Sequence, residues 1–345
     1  MRGVRRGPRI ALVTVTVVAT AAIVALGVIA LVLSRLGGDP AEVPAGWAAP
    51  AALPVSAPLP ADRLAFDSDR TGTFEIFAVG TDGSSPVQLT EDDAYDSWSP
   101  RLSPDRRTIL VHRAPAGKHD LDPAAVSIWA IAADGTGLVE LRPAGLDGWV
   151  FQGHAEWSPD GGSLVLFGGS RLSPQIHVTD ALGQHPRAVT DRGGTNLDPS
   201  FAPDGAEIVF VGCPSAICTE RDYEIFRIPT EGGEAIRVTT DDLRDHDPYW
   251  SPDGARLAWL TAFGGPGVGV WDVRIAAADG ADPVRLFGDA GVTSRPAFSA
   301  DSRTVFVHRI PPGGTTFGVF RIGVDGAGPV EVTSGQPGSN EYPSP

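Results

Sequence analysis

Six polar or charged residues stand singly, each just ahead of a recurring Pro-x-Trp-like segment: Ser99, His154, Asp198, Asp247, Arg295 and Tyr342. Asp245 and His246 lie close by. Two carboxylates with one or two imidazoles are donor types that could hold a divalent cation, or accept a basic peptide. The plainer expectation is that such residues cap strands and keep a polar surface hydrated. Asp160, Asp204 and Asp253 resemble catalytic carboxylates only superficially, because each occupies the same place in a repeated turn and folding explains it. Cys213 and Cys218 are the only cysteines, in Cys-Pro-Ser-Ala-Ile-Cys, and outside the cytoplasm a local disulfide between them is the expected outcome. Their spacing does not suit a zinc site, and the chain carries no cofactor fingerprint, so neither a metal nor a cofactor is expected.

The elements that must position these residues are set by a repeat. Asp247-Pro-Tyr-Trp-Ser-Pro-Asp-Gly254 is followed by a hydrophobic alternation, a variable loop, a strand near Val270, Asp279-Gly280 and a short apolar run. The same grammar appears at His154 to Gly161 and Asp198 to Gly205, with weaker copies at Ser99 to Asp105 and Arg295 to Asp301. The turn aspartates Asp105, Asp160, Asp204, Asp253 and Asp301 lie 55, 44, 49 and 48 residues apart. That period suits four short strands per unit, the signature of a propeller blade. In Ser-Pro-Asp-Gly the proline presets φ, the aspartate bonds nearby amides and the glycine takes positive φ, which joins the first strand of a blade to the second. Asp-Gly at 82–83, 134–135, 279–280 and 325–326, with Gly232-Gly233 and Leu182-Gly183, suits the hairpin between third and fourth strands.

Six such hairpins against five Ser-Pro-Asp-type turns leave the first blade without an opening strand. Gly338 to Pro345 lines up with Gly194 to Phe201, so the C-terminus is expected to pair into the blade that starts at Arg63 and close the ring. The fold class is therefore an all-β, six-bladed β-propeller with four-stranded blades over residues 62–345. First strands then line a channel, and Ser99, His154, Asp198, Asp247, Arg295 and Tyr342 gather near one mouth. Trp157 and Trp250 are expected to pack between blades.

At Phe66-Asp-Ser-Asp-Arg-Thr-Gly-Thr-Phe-Glu-Ile-Phe77, the Trp-Ser-Pro-Asp-Gly turns and Tyr223-Glu-Ile-Phe-Arg-Ile228, the sequence resembles the TolB-like propeller family with its PD40 repeats. The resemblance implies an extracytoplasmic propeller. Relatives include TolB, which binds envelope proteins and carries a further N-terminal α/β domain, and the propeller domains of some serine peptidases. Those peptidases need a nucleophile elbow, and no Gly-x-Ser-x-Gly occurs here.

Of the 345 residues, 42 are Gly and 31 Pro, which favours many turns over long helices. Without the five arginines that precede Asp39, 22 basic residues face 42 acidic ones, a net charge of about −20 that repels phosphate backbones and argues against nucleic acid. Residues 1–9 form a basic tail. Residues 10–33 form an uncharged, largely apolar run long enough to cross a bilayer, and the preceding arginines place the C-terminal remainder of the chain on the outer side. Residues 34–61, rich in Pro and Ala, read as a semi-extended spacer. The expectation is a single-pass, extracytoplasmic, monomeric propeller that binds an envelope protein or peptide and is not an enzyme. The alternative is an extracytoplasmic lyase or hydrolase of sugars or lactones working at the channel mouth.

Overall fold

A computed structural model describes residues 39–345, except 120–121, 214, 216–217, 219–221 and 264–269. The apolar run at 10–33, expected to cross a membrane, lies outside the described residues. Among the described residues no helix is long and apolar enough to cross one.

Six four-stranded antiparallel sheets succeed one another along the chain. Blade 1 is closed by the C-terminus: Asn340–Ser344 pairs with Arg63–Ser68, which pairs with Glu75–Gly80 and then Val87–Gln88. Blades 2 to 6 each run in simple order outward from an inner first strand to a short outer one. Their first strands are Tyr95–Leu102, Phe151–Trp157, Thr195–Phe201, Arg244–Trp250 and Val292–Phe298. Successive first strands touch around the whole ring, the C-terminal strand bridging blades 6 and 2. Five of the six outer strands are only two residues long, which leaves little exposed edge for unwanted pairing.

The core is divided into six apolar clusters, each shared by two neighbouring blades. Ile109 and Val111 pack toward blade 1, whereas Leu110 between them packs toward blade 3 with Trp157 and Leu164. Val209 and Val211 face Leu257 and Trp259 of blade 5, while Ile208 and Phe210 face blade 3. A blade buried on both faces needs apolar residues at consecutive positions, which is why second strands such as Ile208-Val-Phe-Val are unbroken apolar runs. Trp157 and Trp250 both sit at such interfaces.

The Ser-Pro-Asp turns are built as their chemistry suggests. Ser103, Ser158, Ser251 and Ser299 each donate from Oγ to the aspartate two residues on, at 2.6 Å, and each aspartate accepts a further backbone amide. Asp204, preceded by Ala202 in place of serine, keeps only the amide of Ala206. These carboxylates are therefore occupied in holding turns.

One expectation is corrected. The second half of the Pro-rich segment is extended, but it is no free spacer. Leu53 packs on the blade 2–3 cluster and Leu59 is buried in the blade 1–2 cluster. Leu59 N donates to Arg106 O at 2.8 Å, Thr108 Oγ1 to Pro54 O at 2.7 Å and Asp134 N to Ser56 Oγ at 3.1 Å. Prolines hold the chain straight without leaving an unpaired N–H, and two leucines supply the apolar contact; burying Leu59 contributes about 1.5–3 kcal/mol.

Candidate functional site

Every first strand is broken by a bulge at the same place. The pairing register shifts between Trp98 and Arg101, Gly153 and Glu156, Leu197 and Ser200, His246 and Tyr249, and Ser294 and Ala297, and it also shifts in the C-terminal strand. At the bend stand Ser99, His154, Asp198, Asp247, Arg295 and Tyr342, all with left-handed φ between 45° and 53°. Five of the six precede proline, which disfavours right-handed helical backbone in the residue before it and has no N–H to lose from the ladder. The bulge re-aims the side chain at the bend. It also takes a backbone amide out of the ladder, and the preceding blade supplies an acceptor. Asp67 Oδ1 accepts Ser99 N at 3.0 Å, His308 Nδ1 accepts Tyr342 N at 3.0 Å, and His112 Nε2 accepts Ala155 N at 3.4 Å.

The six residues converge in two groups that meet at Arg295 and Asp247. In blades 3 to 5, His154 Nδ1 lies 2.8 Å from Asp198 Oδ1 and 3.5 Å from Asp247 Oδ1. Asp198 Oδ2 receives a hydrogen bond from His246 Nδ1 at 2.9 Å. Arg244 Nε donates to His246 Nε2 at 3.0 Å, which assigns the His246 proton to Nδ1. In blades 6, 1 and 2, Arg295 donates from Nη1 to Ser99 Oγ at 2.6 Å, and its guanidinium carbon lies 5.3 Å from the centre of the Tyr342 ring. Arg295 Nε stands 3.8 Å from Asp247 Oδ1.

A second tier lies two residues further along the same strands: Arg101, Glu156, Tyr249 and Ser344. Tyr249 Oη accepts from Arg101 Nη2 at 3.0 Å and Arg295 Nε at 2.9 Å, and donates to Glu156 Oε1 at 2.8 Å. Arg101 also pairs directly with Glu156. Ser344 Oγ accepts Leu102 N at 3.0 Å. Sequence reasoning missed this tier, although its signal was present: strand side chains recur on one face every second residue, so the position two beyond each bend also faces the channel.

Electrostatics divide these groups. Burial works against the Asp198 carboxylate, but His154 and His246 outweigh it and hold its pKa well below the usual range. Burial, helped by the charge of Asp198, pushes the pKa of Asp247 up, and His154 and Arg295 only partly oppose this. Burial pushes the Tyr249 phenol far above its ordinary value. Burial also opposes the charge of Arg295, yet Tyr249, Asp247 and Glu156 raise its pKa overall. Burial drives His308 down to about 3 and leaves it neutral.

Beside the mouth, between blades 2 and 3, opens a cavity of about 150 Å³ walled by Trp98, Val126, Phe167 and Tyr342, with His154 and Arg295 at its polar side. It lies on the face that carries the loops between second and third strands, opposite the Ser-Pro-Asp turns. Cys213 and Cys218 are bonded to each other in one of those loops, with Cα atoms 6.2 Å apart, and take no part in the cluster.

Comparison with known proteins agrees with this architecture. Residues 150–309, blades 3 to 5 and the inner half of blade 6, match the family described as PD40, TolB beta propeller domain. The propeller is TolB-like. A Protein TolB homolog of Chlorobium luteolum is 30% identical over 149 residues, which is 43% of this chain and 31% of the homologue. In the first curated relatives it matches, the chain thus spans under a third of their length. The crystal structure of TolB from Acinetobacter baumannii superposes with a TM-score of 0.64 at 18% identity, covering 82% of this chain and 66% of that one. An oligogalacturonate lyase in complex with manganese shares the fold at a TM-score of 0.53 and 13% identity, over 79% of this chain and 73% of the lyase. TolB-like propellers thus share their scaffold with an enzyme, and the scaffold alone does not choose between binding and catalysis.

Proposed function

We propose that this chain is a membrane-anchored, extracytoplasmic propeller of the cell envelope that binds a segment of a partner protein at its channel mouth and performs no chemistry on it. The observation that carries this reading is that the aromatic cavity and the carboxylate–imidazole cluster share His154 and open at one mouth. An inserted apolar side chain can fill the cavity while a neighbouring cationic or hydrogen-bonding group meets Asp198 and Asp247. Binding of this kind draws its energy from a desolvated anchor in a pocket and its selectivity from buried polar groups that must be matched. The likeness to TolB supports an envelope role, and the apolar run at 10–33 supplies the anchor.

The test is affinity capture of solubilised envelope proteins by the full chain beside its Val126→Arg variant. Val126 lines the cavity from the loop just after Pro123–Ala125, and a long charged side chain there fills it. A specific protein held by the native chain and lost with the variant is the expected result; equal retention by both would remove the cavity from the site. A second reading, a lyase or hydrolase of sugars or lactones, draws on the same cluster and on the fold shared with oligogalacturonate lyase. It takes first place if no partner is captured and a turnover is found that Asp198→Asn abolishes.

A further inference from the structure

His154, Asp198 and Asp247 come from three successive blades, at one bend, with φ of 48°, 50° and 48°. Each offers one donor atom, and the three atoms lie within 4.8 Å of one another. Two of them are left unsatisfied among the described residues: His154 Nδ1 and Asp247 Oδ1 are shut from solvent and make no hydrogen bond. His154 Nδ1 stands 2.8 Å from Asp198 Oδ1 and 3.5 Å from Asp247 Oδ1, so the three donor atoms are gathered at one place. Buried polar groups in this state call for a missing partner. Ligand atoms held about 2.1 Å from one ion at about 90–110° stand roughly 3.0–3.5 Å apart, close to the 2.8 and 3.5 Å that separate His154 Nδ1 from the two carboxylates.

We infer that His154 Nδ1, Asp198 Oδ1 and Asp247 Oδ1 form a site for one divalent transition-metal ion, Zn²⁺ or Mn²⁺, at the channel mouth. One imidazole with two carboxylates suits these borderline cations better than Ca²⁺, which prefers an all-oxygen shell. The outer shell is already in place: His246 holds Asp198 through Oδ2, as carboxylate ligands are commonly held. Arg295 is matched by Glu156, 3.5 Å away, and by Tyr249, and its 3.8 Å distance from Asp247 Oδ1 is too long for a hydrogen bond. Three protein ligands leave positions open toward the channel for water or for a group on an inserted segment. The metal site shares its mouth with the proposed partner site but needs no partner, so the two can fail separately.

The experiment strips the purified full chain with EDTA and then supplies Zn²⁺, Mn²⁺ or Ca²⁺, each as the sole metal. Bound metal per chain is measured by elemental analysis after gel filtration. One equivalent is expected, with Asp247→Asn and His154→Asn each weakening it at least tenfold while the circular dichroism of the stripped variants matches that of the native chain. Should a variant fail to fold, Co²⁺ in the native chain decides alone: visible absorption saturating at one equivalent supports the site and its absence overturns it. Less than a tenth of an equivalent in the native chain overturns it too. Undiminished binding in both variants, or uptake of Ca²⁺ without Zn²⁺ or Mn²⁺, would also overturn it.

Discussion

Asp198 and Asp247 carry the same side chain at the same bend of adjacent blades, yet their pKa values move in opposite directions. The difference lies in their neighbours. Asp198 is gripped by two imidazoles, whereas the Asp247 Oδ1 atom makes no hydrogen bond and its carboxylate faces the charge of Asp198. The histidines that catch bulge amides form a separate class. His308 is buried against Phe317 and Tyr342, its ring accepts Tyr342 N, and Arg295, Arg101 and His119 all disfavour its charge. Its pKa falls from 6.5 to about 3 in the fold, so between those values the unfolded chain holds a proton that the folded chain refuses. Stability is therefore fully present above pH 6.5 and declines as the pH falls toward 3, by at most about 1.4 kcal/mol per pH unit from this group. His308→Asn keeps a possible acceptor for the Tyr342 amide and removes the titration. Denaturant titrations at pH 7 and pH 4.5 should show the native chain losing more stability than the variant; equal losses would exclude His308 as a source of acid sensitivity.

At the scale of the element, the bulged first strand does two jobs: it turns a side chain into the mouth and passes an amide to the preceding blade. The C-terminal strand adds closure. Asn340 N bonds Phe317 O of blade 6 at 2.9 Å, and Ser344 Oγ receives Leu102 N of blade 2 at 3.0 Å, so five residues tie three blades together. Deleting residues 338–345 leaves Arg63–Ser68 as a bare inner edge and should lower the melting temperature by several degrees, read by calorimetry. An unchanged value would contradict a closed ring. This closure was legible in the sequence, because a strand missing at one end and spare at the other leaves a mark in the repeat count. The six bend positions were legible as equivalent points of the repeat, since the motif fixes their phase. Their bulged backbone was not: only the strand pairing reveals two residues opposite one. Nor could spacing show that Leu53 and Leu59 bind the Pro-rich segment to the blades, because two leucines among prolines carry no periodicity. The meeting of His154, Asp198 and Asp247 depends on how successive blades rotate about the channel, which no local pattern records.

For the whole molecule, the ring sets six side chains from distant parts of the chain around one opening, and the acidic net charge of the sequence favours a cationic segment over an anionic one. The opposite face carries the repeated turns and the strapped Pro-rich segment, so the two faces are chemically distinct and the aromatic cavity lies on the mouth side. The most direct measurement places a photoreactive residue at Val126, on the cavity wall, and in a second chain at Val284, on an exposed outer strand, and irradiates cells that produce each. A discrete adduct with one envelope protein from position 126, absent from position 284, is the result expected of a propeller that binds its partner through the mouth. No adduct at 126, or the same adduct from both positions, would contradict it.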